Sequence, residues 1–182
     1  ARTKLPSYYE ARCILPPLAF EQASSEACAA RKSCSGERVL DLTCGLGVDA
    51  LYLSKRFREV ITLERDATLA AVAGENFRRL GATNIRVINS SAEAFLASTR
   101  DHFDWIYADP DRRSAEGRKL VRLEDCSPDI PKLLPELRRI APNLCVKNSP
   151  LFDVGETFRL FGPCRTEVVS LHDECKEVVV YA

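Results

Sequence analysis

The 182-residue sequence has no methionine, no Cys-x-x-Cys pair and no net charge, its 26 basic side chains balancing 26 acidic ones. Zero net charge excludes a global electrostatic grip on nucleic acid and leaves only a local basic patch to supply one. No run approaches the ~18 uninterrupted apolar residues of a membrane span, and no charged-then-apolar leader opens the chain. A soluble, cytoplasmic protein is expected. Lacking methionine and opening Ala-Arg-Thr-Lys, the chain is expected to be part of a longer protein with flanking domains. Its eight cysteines never fall at metal-ligand spacing, and neither His102 nor His172 has a cysteine at such a distance. No metal site is expected, and the thiols should be reduced and mostly buried.

What the sequence does have is alternation. From Glu37 onward, short β-branched runs alternate with segments of helical periodicity. Strands are predicted over Arg38–Thr43, Glu59–Glu64, Asn84–Ile88, Phe103–Ala108 and Asn143–Lys147. Helices are predicted from Val48 to about Phe57, from an Asp66 N-cap to Gly81, and over Ala92–Ser98, Ile130–Ile140 and Val154–Leu160. Such alternation implies parallel β-α-β units. The last two strands, Glu167–Leu171 and Lys176–Tyr181, are only four residues apart, too few for a parallel crossover. They must form an antiparallel hairpin. The expected fold class is α/β: a mostly parallel seven-stranded Rossmann-like sheet with a C-terminal antiparallel hairpin and helices on both faces. In the first 35 residues Pro6, Pro16 and Pro17 disfavour long regular structure, and a helix is expected from Ser24 with Lys32 near its end. Residues 1–35 are read as an N-terminal helical extension over a ligand pocket, and 36–182 as the main domain.

Asp41-Leu-Thr-Cys-Gly-Leu-Gly47 closes the first strand and opens the first helix. Gly45 and Gly47 let the backbone turn tightly toward a ligand, and the helix start offers unpaired N–H donors. Gly45-Leu-Gly47-Val-Asp-Ala50 also satisfies the dinucleotide fingerprint G-x-G-x-x-A, so a nicotinamide dinucleotide competes as the ligand. Charge separates the two. Asp41 beside the turn would repel a pyrophosphate and suits a cationic ligand without phosphate, such as S-adenosyl-L-methionine with its sulfonium and ammonium groups. Glu64, ending the second strand, is where either cofactor wants an acid for its ribose hydroxyls. The plainer alternative is that Asp41 caps the next helix and Glu64 is a solvated strand end.

Val39-Leu-Asp-Leu-Thr-Cys-Gly-Leu-Gly47 resembles the first motif of class I S-adenosylmethionine-dependent methyltransferases, Val60-Ile-Thr-Leu-Glu64 the second, and Phe103-Asp-Trp-Ile-Tyr-Ala-Asp-Pro110 the fourth. More narrowly, the chain resembles a bacterial group of methyltransferase-like proteins with a THUMP-like domain. Phe20-Glu-Gln-Ala-Ser-Ser-Glu26, Asp109-Pro-Asp-Arg-Arg113, Leu123-Glu-Asp-Cys-Ser-Pro128, Val146-Lys-Asn-Ser-Pro-Leu151 and Asp173-Glu-Cys-Lys-Glu177 carry that match. The resemblance implies that Asp41, Thr43, Gly45 and Gly47 line the methionine part of the cofactor and that Glu64 holds its ribose. Gln22 and Phe20 would close the pocket. Ser91 stands where the third motif commonly has an acid for the adenine amine, and Thr43 replaces a commoner glycine, a departure shared by several RNA methyltransferases.

Asp109-Pro-Asp-Arg-Arg113 follows the fourth strand, at the sheet edge where open α/β folds bind ligands. It resembles the Asp/Asn-Pro-Pro-aromatic motif of enzymes that methylate exocyclic amines of bases. Asp109 and Pro110 are kept, whereas Asp111 and Arg112 fill the last two places. Arg112 is a candidate to stack on a base or bind a phosphate, or to pair with Asp111 or Glu124. Asp109 is expected to orient the acceptor, with Lys147 as a neighbour that tunes charge. Five basic residues between Arg112 and Arg122 against one acid, Glu116, suit an RNA backbone or a solvated loop equally well. Cys126 is a weak candidate for covalent C5 chemistry, since no activator of its thiol is evident nearby. The reading is an S-adenosylmethionine-dependent methyltransferase with RNA as acceptor. A non-catalytic cofactor- or RNA-binding module, or a methyltransferase of proteins or small molecules, is the alternative.

Overall fold

The computed structural model describes residues 1–111 and 122–182. Arg112 and most of the basic segment lie outside the described residues. Seven strands form one sheet: β1 (Gly36–Asp41), β2 (Phe57–Glu64), β3 (Ile85–Asn89), β4 (Trp105–Ala108), β5 (Asn143–Asn148), β6 (Arg165–Leu171) and β7 (Glu174–Tyr181). Their order is β3-β2-β1-β4-β5-β7-β6. β7 runs antiparallel to both β5 and β6, and every other pair is parallel. Because helices cover both faces, side chains of both parities are apolar along the central strands. Val39, Val60, Tyr107, Cys145 and Val179 face one buried cluster, and Leu40, Ile61, Ile106, Val146 and Val180 face the other.

Eight α-helices and a single 3-10 turn (Leu123–Asp125) complete the described chain: α1 (Pro6–Glu10), α2 (Pro17–Gln22), α3 (Glu26–Ala29), α4 (Val48–Leu53), α5 (Ala67–Arg79), α6 (Ala92–Ser98), α7 (Ile130–Ile140) and α8 (Glu156–Phe161). The first cluster takes in α4, α5 and the N-terminal segment, where Leu5 and Tyr8 are fully buried. Burying such a side chain stabilises by roughly 2 kcal/mol. The second cluster takes in Leu96 of α6, Leu137 and Ile140 of α7, and Phe161 of α8. Asp66, Ser91 and Asp129 cap α5, α6 and α7 by accepting from Leu69 N, Ala94 N and Lys132 N, each worth about 1 kcal/mol. Among the described residues no helix is long and apolar enough to cross a membrane.

Most strand ends shift by one or two residues from the sequence reading, β1 closing at Asp41 and not at Thr43, and three further differences have a local cause. α4 stops at Leu53 because the chain turns over Ser54–Arg56, whose Oγ and N–H groups return to the Leu51 and Leu53 carbonyls, and Phe57 already opens β2. α3 is a single turn capped by Ser25, and Lys32 faces inward instead of ending a helix. The final hairpin is tighter than predicted. Only His172 and Asp173 separate β6 from β7, with φ of 51° and 61°, the left-handed pair that a type I′ turn requires.

Candidate active site

From β1 the chain adds β2 and β3 on one side of the sheet and then β4 on the other. That reversal leaves a crevice at the carboxyl ends of β1 and β4. A cavity of about 890 Å³ opens there, lined by Gln22, Thr43, Gly45, Glu64, Ser91 and Asp109 among others. These six of the sequence-predicted residues therefore meet. Pro110 is buried and does not line the cavity, Lys147 lies buried behind Asp109, and Phe20 is absent from the lining.

Asp41 requires a correction. Its carboxylate has no exposed surface and does not line the cavity. It accepts from Thr62 Oγ1 at 2.6 Å, Thr43 N at 2.9 Å and Thr43 Oγ1 at 3.3 Å. Strand register explains this. Asp41 lies opposite Thr62, inside the ladder, while Glu64 lies two residues further on, past the last β1 residue. Glu64 reaches over the glycine turn, accepting from Gly45 N at 2.9 Å and Asp66 N at 3.0 Å. The turn amide that a pyrophosphate would need is thus already held by a carboxylate at the cavity wall. With Asp41 buried, charge no longer separates the two cofactors, since either could use Glu64 for its ribose; what stands against a pyrophosphate is the Gly45 amide already engaged by that carboxylate.

The two glycines separate as well. Gly45 has φ +54°, with nothing within 4 Å of where a Cβ would stand, so its conformation alone asks for glycine. Gly47 does not line the cavity; a Cβ there would lie 2.4 Å from Phe77 Cζ. Its φ of +86° also favours glycine, and the missing Cβ lets α5 approach the start of α4.

Thr43 joins the two halves of the site. Its backbone and hydroxyl donate to Asp41, and its Oγ1 accepts from Asp109 N at 2.7 Å. A glycine at 43 would lose the hydroxyl link. At the ends of β4 and β5, Lys147 Nζ donates to Asp109 Oδ2 at 2.5 Å and to Ser24 Oγ at 2.8 Å, and Ser24 Oγ donates to Asp49 Oδ2 at 2.6 Å. Burial works against the Lys147 charge, yet Asp109, Asp49 and Glu177 outweigh it and hold the ammonium above the usual lysine range. Ser91 Oγ caps α6 while lining the cavity. Across the mouth, Arg65 donates to Ser127 Oγ at 3.1 Å and lies 3.9 Å from Asp111, whose backbone is paired with that of Ser127. Cys126 is buried, donates to the Arg122 carbonyl and does not line the cavity. Among the described residues no group of three His, Cys, Asp or Glu is placed to hold a metal ion.

Sequence reasoning missed Ser24, Asp49, Lys32 and Glu177. Asp49 stands two residues after the glycine turn, and Glu177 closes a segment whose resemblance carried no role, so position alone marked them.

Residues 39–116 match a family model described as a methyltransferase domain. A crystal structure of a provisionally assigned methyltransferase from Porphyromonas gingivalis W83 is 30% identical with a TM-score of 0.77, covering 92% of this chain and 42% of that one. Residues 39–116 carry a methyltransferase domain, set in the class I S-adenosylmethionine-dependent methyltransferase fold. This methyltransferase domain is 44% identical over 82 residues to the 23S rRNA (uracil(1939)-C(5))-methyltransferase RlmD of Stenotrophomonas maltophilia, covering 43% of this chain and 18% of that protein. It is 31% identical over 127 residues to ribosomal RNA small subunit methyltransferase J of Coxiella burnetii, covering 62% of this chain and 50% of that protein. The chain spans no more than half the length of either curated relative.

Proposed function

We propose that the chain is the catalytic methyltransferase domain of a cytoplasmic RNA-modifying protein and that its acceptor is an exocyclic amine of an RNA base. The observation that carries this reading is one cavity walled at one end by Glu64 on the glycine turn and at the other by Asp109 on Lys147. The cavity's size suits a ligand of nucleoside-plus-amino-acid dimensions, and Gly45 leaves open space where a side chain would intrude. Glu64 is the group to hold the ribose, Ser91 to meet the adenine, and Thr43, Gly45 and Gln22 to line the methionine part. Asp41 acts at one remove, by fixing the Thr43 turn.

When bound, S-adenosylmethionine supplies a methyl group activated by its sulfonium. The remaining task is alignment in a dry pocket. With Lys147 on Asp109 Oδ2, the other oxygen accepts an acceptor N–H, which favours an amine over a ring carbon. The amine can lose its proton after transfer, so no strong base is needed. Pro110 stiffens the chain after Asp109, and Arg112 stacks on the base or pairs with a phosphate. RNA is favoured by the names of both curated relatives and by the basic residues after Asp109. A THUMP-like module outside these residues would supply the rest of the RNA grip.

The test is transfer of label from tritiated S-adenosylmethionine to RNA from cells lacking the gene. Asp109→Ala should cut transfer by about a hundredfold while calorimetric affinity for S-adenosylmethionine is unchanged. Glu64→Gln should weaken that affinity by about tenfold, since a hydrogen bond to a charged group is lost. Binding of NADH with no response to S-adenosylmethionine would reject the reading.

A further inference from the structure

Behind Asp109 lies a run of charges with almost no contact with solvent. Lys147 and Glu177 are buried on the same face of the sheet, Lys147 on β5 and Glu177 on the adjacent β7. A bulge sets the second of these: β6 pairs Val169 with Glu177 and then Ser170 with Cys175, so Lys176 is the extra residue. Such a bulge re-aims the residues beside it. Glu177 Oε1 takes a short hydrogen bond from Lys32 Nζ, and its Oε2 lies 3.9 Å from Lys147 Nζ. Lys32 also donates to the Cys28 carbonyl at 3.2 Å and lies 3.7 Å from Asp49. Lys32 and Glu177 are each only 2% exposed. Desolvating such groups is expensive and contributes little net stability, so a fold has small reason to keep them for stability alone.

We propose that Glu177 and Lys32 are positioning residues for the acceptor end of the site, acting through Lys147 on Asp109. This rests on the methyltransferase reading above and deepens it, giving the Asp173-Glu-Cys-Lys-Glu177 segment a role. Lys147 has two fixed partners, Asp109 and Ser24. Glu177, 3.9 Å from the ammonium, is a third anchor that fixes where Lys147 meets Asp109. Lys32 in turn keeps Glu177 from swinging onto Lys147 with both oxygens. The charged groups that act on Lys147 are Asp109 after β4, Asp49 of α4, Glu177 of β7 and Lys4 before α1. Three carboxylates sustain its charge, and deleting one brings its deprotonation to lower pH.

The full chain tests this with tritiated S-adenosylmethionine and RNA from cells lacking the gene. Glu177→Gln should lower kcat by about a hundredfold, the cost of a misplaced acceptor, with calorimetric affinity for S-adenosylmethionine held. The alkaline limb of the kcat profile should move to lower pH, and Glu177→Asp should restore part of the rate. Should Glu177→Gln fail to fold, the paired change Lys32→Met with Glu177→Leu removes both charges together and is expected to show the same rate loss and pH shift. Wild-type kcat and an unmoved alkaline limb in a folded variant overturn the proposal alone. So does a loss of kcat and cofactor affinity in equal measure, which marks a structural role. No transfer to RNA by the wild-type chain overturns the RNA-acceptor reading and this proposal with it.

Discussion

Asp41 is surrounded by two hydroxyls and an amide, all donating to it. Burial raises its pKa to about 7 against the pull of those hydrogen bonds. The sign of the consequence follows from proton counting. Between the ordinary carboxylate range near 4 and about pH 7, the folded chain keeps a proton that the unfolded chain has released. Folding is therefore favoured at the acid end of that window, and the contribution fades as pH rises through it. Asp41→Asn does not titrate. Urea unfolding at pH 5 and pH 8 should show the variant gaining on the wild type by about 3 kcal/mol, and an identical difference at both pH values would contradict the buried, proton-holding carboxylate. At this scale the sequence was a good guide to residue type and a poor one to direction. Asp41 and Glu64 both stood out as acids beside a glycine turn. Which of them reached the turn depended on β2 outrunning β1, a matter of register that neither strand carries alone.

The N-terminal segment depends on a few buried polar groups. Glu26, at the start of α3, accepts from Ser7 N at 2.8 Å, Ser7 Oγ at 2.7 Å and Tyr52 Oη at 2.8 Å, joining α1 to α4. Asn76 of α5 bonds both the N–H and the carbonyl of Ile14, and Lys4 donates to the Phe20 and Glu21 carbonyls near the end of α2. These ties place Gln22 and Ser24 on the cavity wall. Glu26→Ala leaves three donors without their acceptor, a cost of about 3 kcal/mol. Hydrogen exchange should quicken in α1 and α3 while the central strands stay protected, and affinity for S-adenosylmethionine should fall. Uniform exchange across the chain would instead make the segment part of one cooperative unit. Elements with strong periodicity and a cap were legible: α6 and α7 match their predicted spans. The short α1 and α2 were not, because proline begins each of them and tertiary hydrogen bonds, not periodicity, hold them.

For the whole molecule, the mostly parallel seven-stranded sheet and its terminal hairpin were legible because alternation and a short final connection admit few topologies. Lys147 was legible as a neighbour of Asp109, but the network behind it was not, since Lys32, Asp49 and Glu177 reach it from separate parts of the chain. Net charge bears on the proposed acceptor. With 26 charges of each sign, the domain has no long-range field to hold RNA, so its affinity must come from a few local phosphate contacts. From Arg112 to Arg122 the chain concentrates Arg112, Arg113, Arg118, Lys119 and Arg122 against Glu116. Arg122 is exposed and shares Glu124 with Arg159, the closer of the two partners at 2.8 Å against 3.6 Å, so Arg122 is weakly held and able to turn to a phosphate. If three to five of these cations engage, log affinity for single-stranded RNA should fall with log salt at a slope of about −2 to −4. Replacing Arg112 and Arg113 together by alanine should reduce that slope by about 1.4 and leave affinity for S-adenosylmethionine unchanged. Fluorescence anisotropy with a labelled oligoribonucleotide across a salt series measures both slopes. An unchanged slope in the double variant would move the RNA contact elsewhere on the surface. No binding even at low salt would remove RNA as the acceptor and leave a protein or a small molecule in its place.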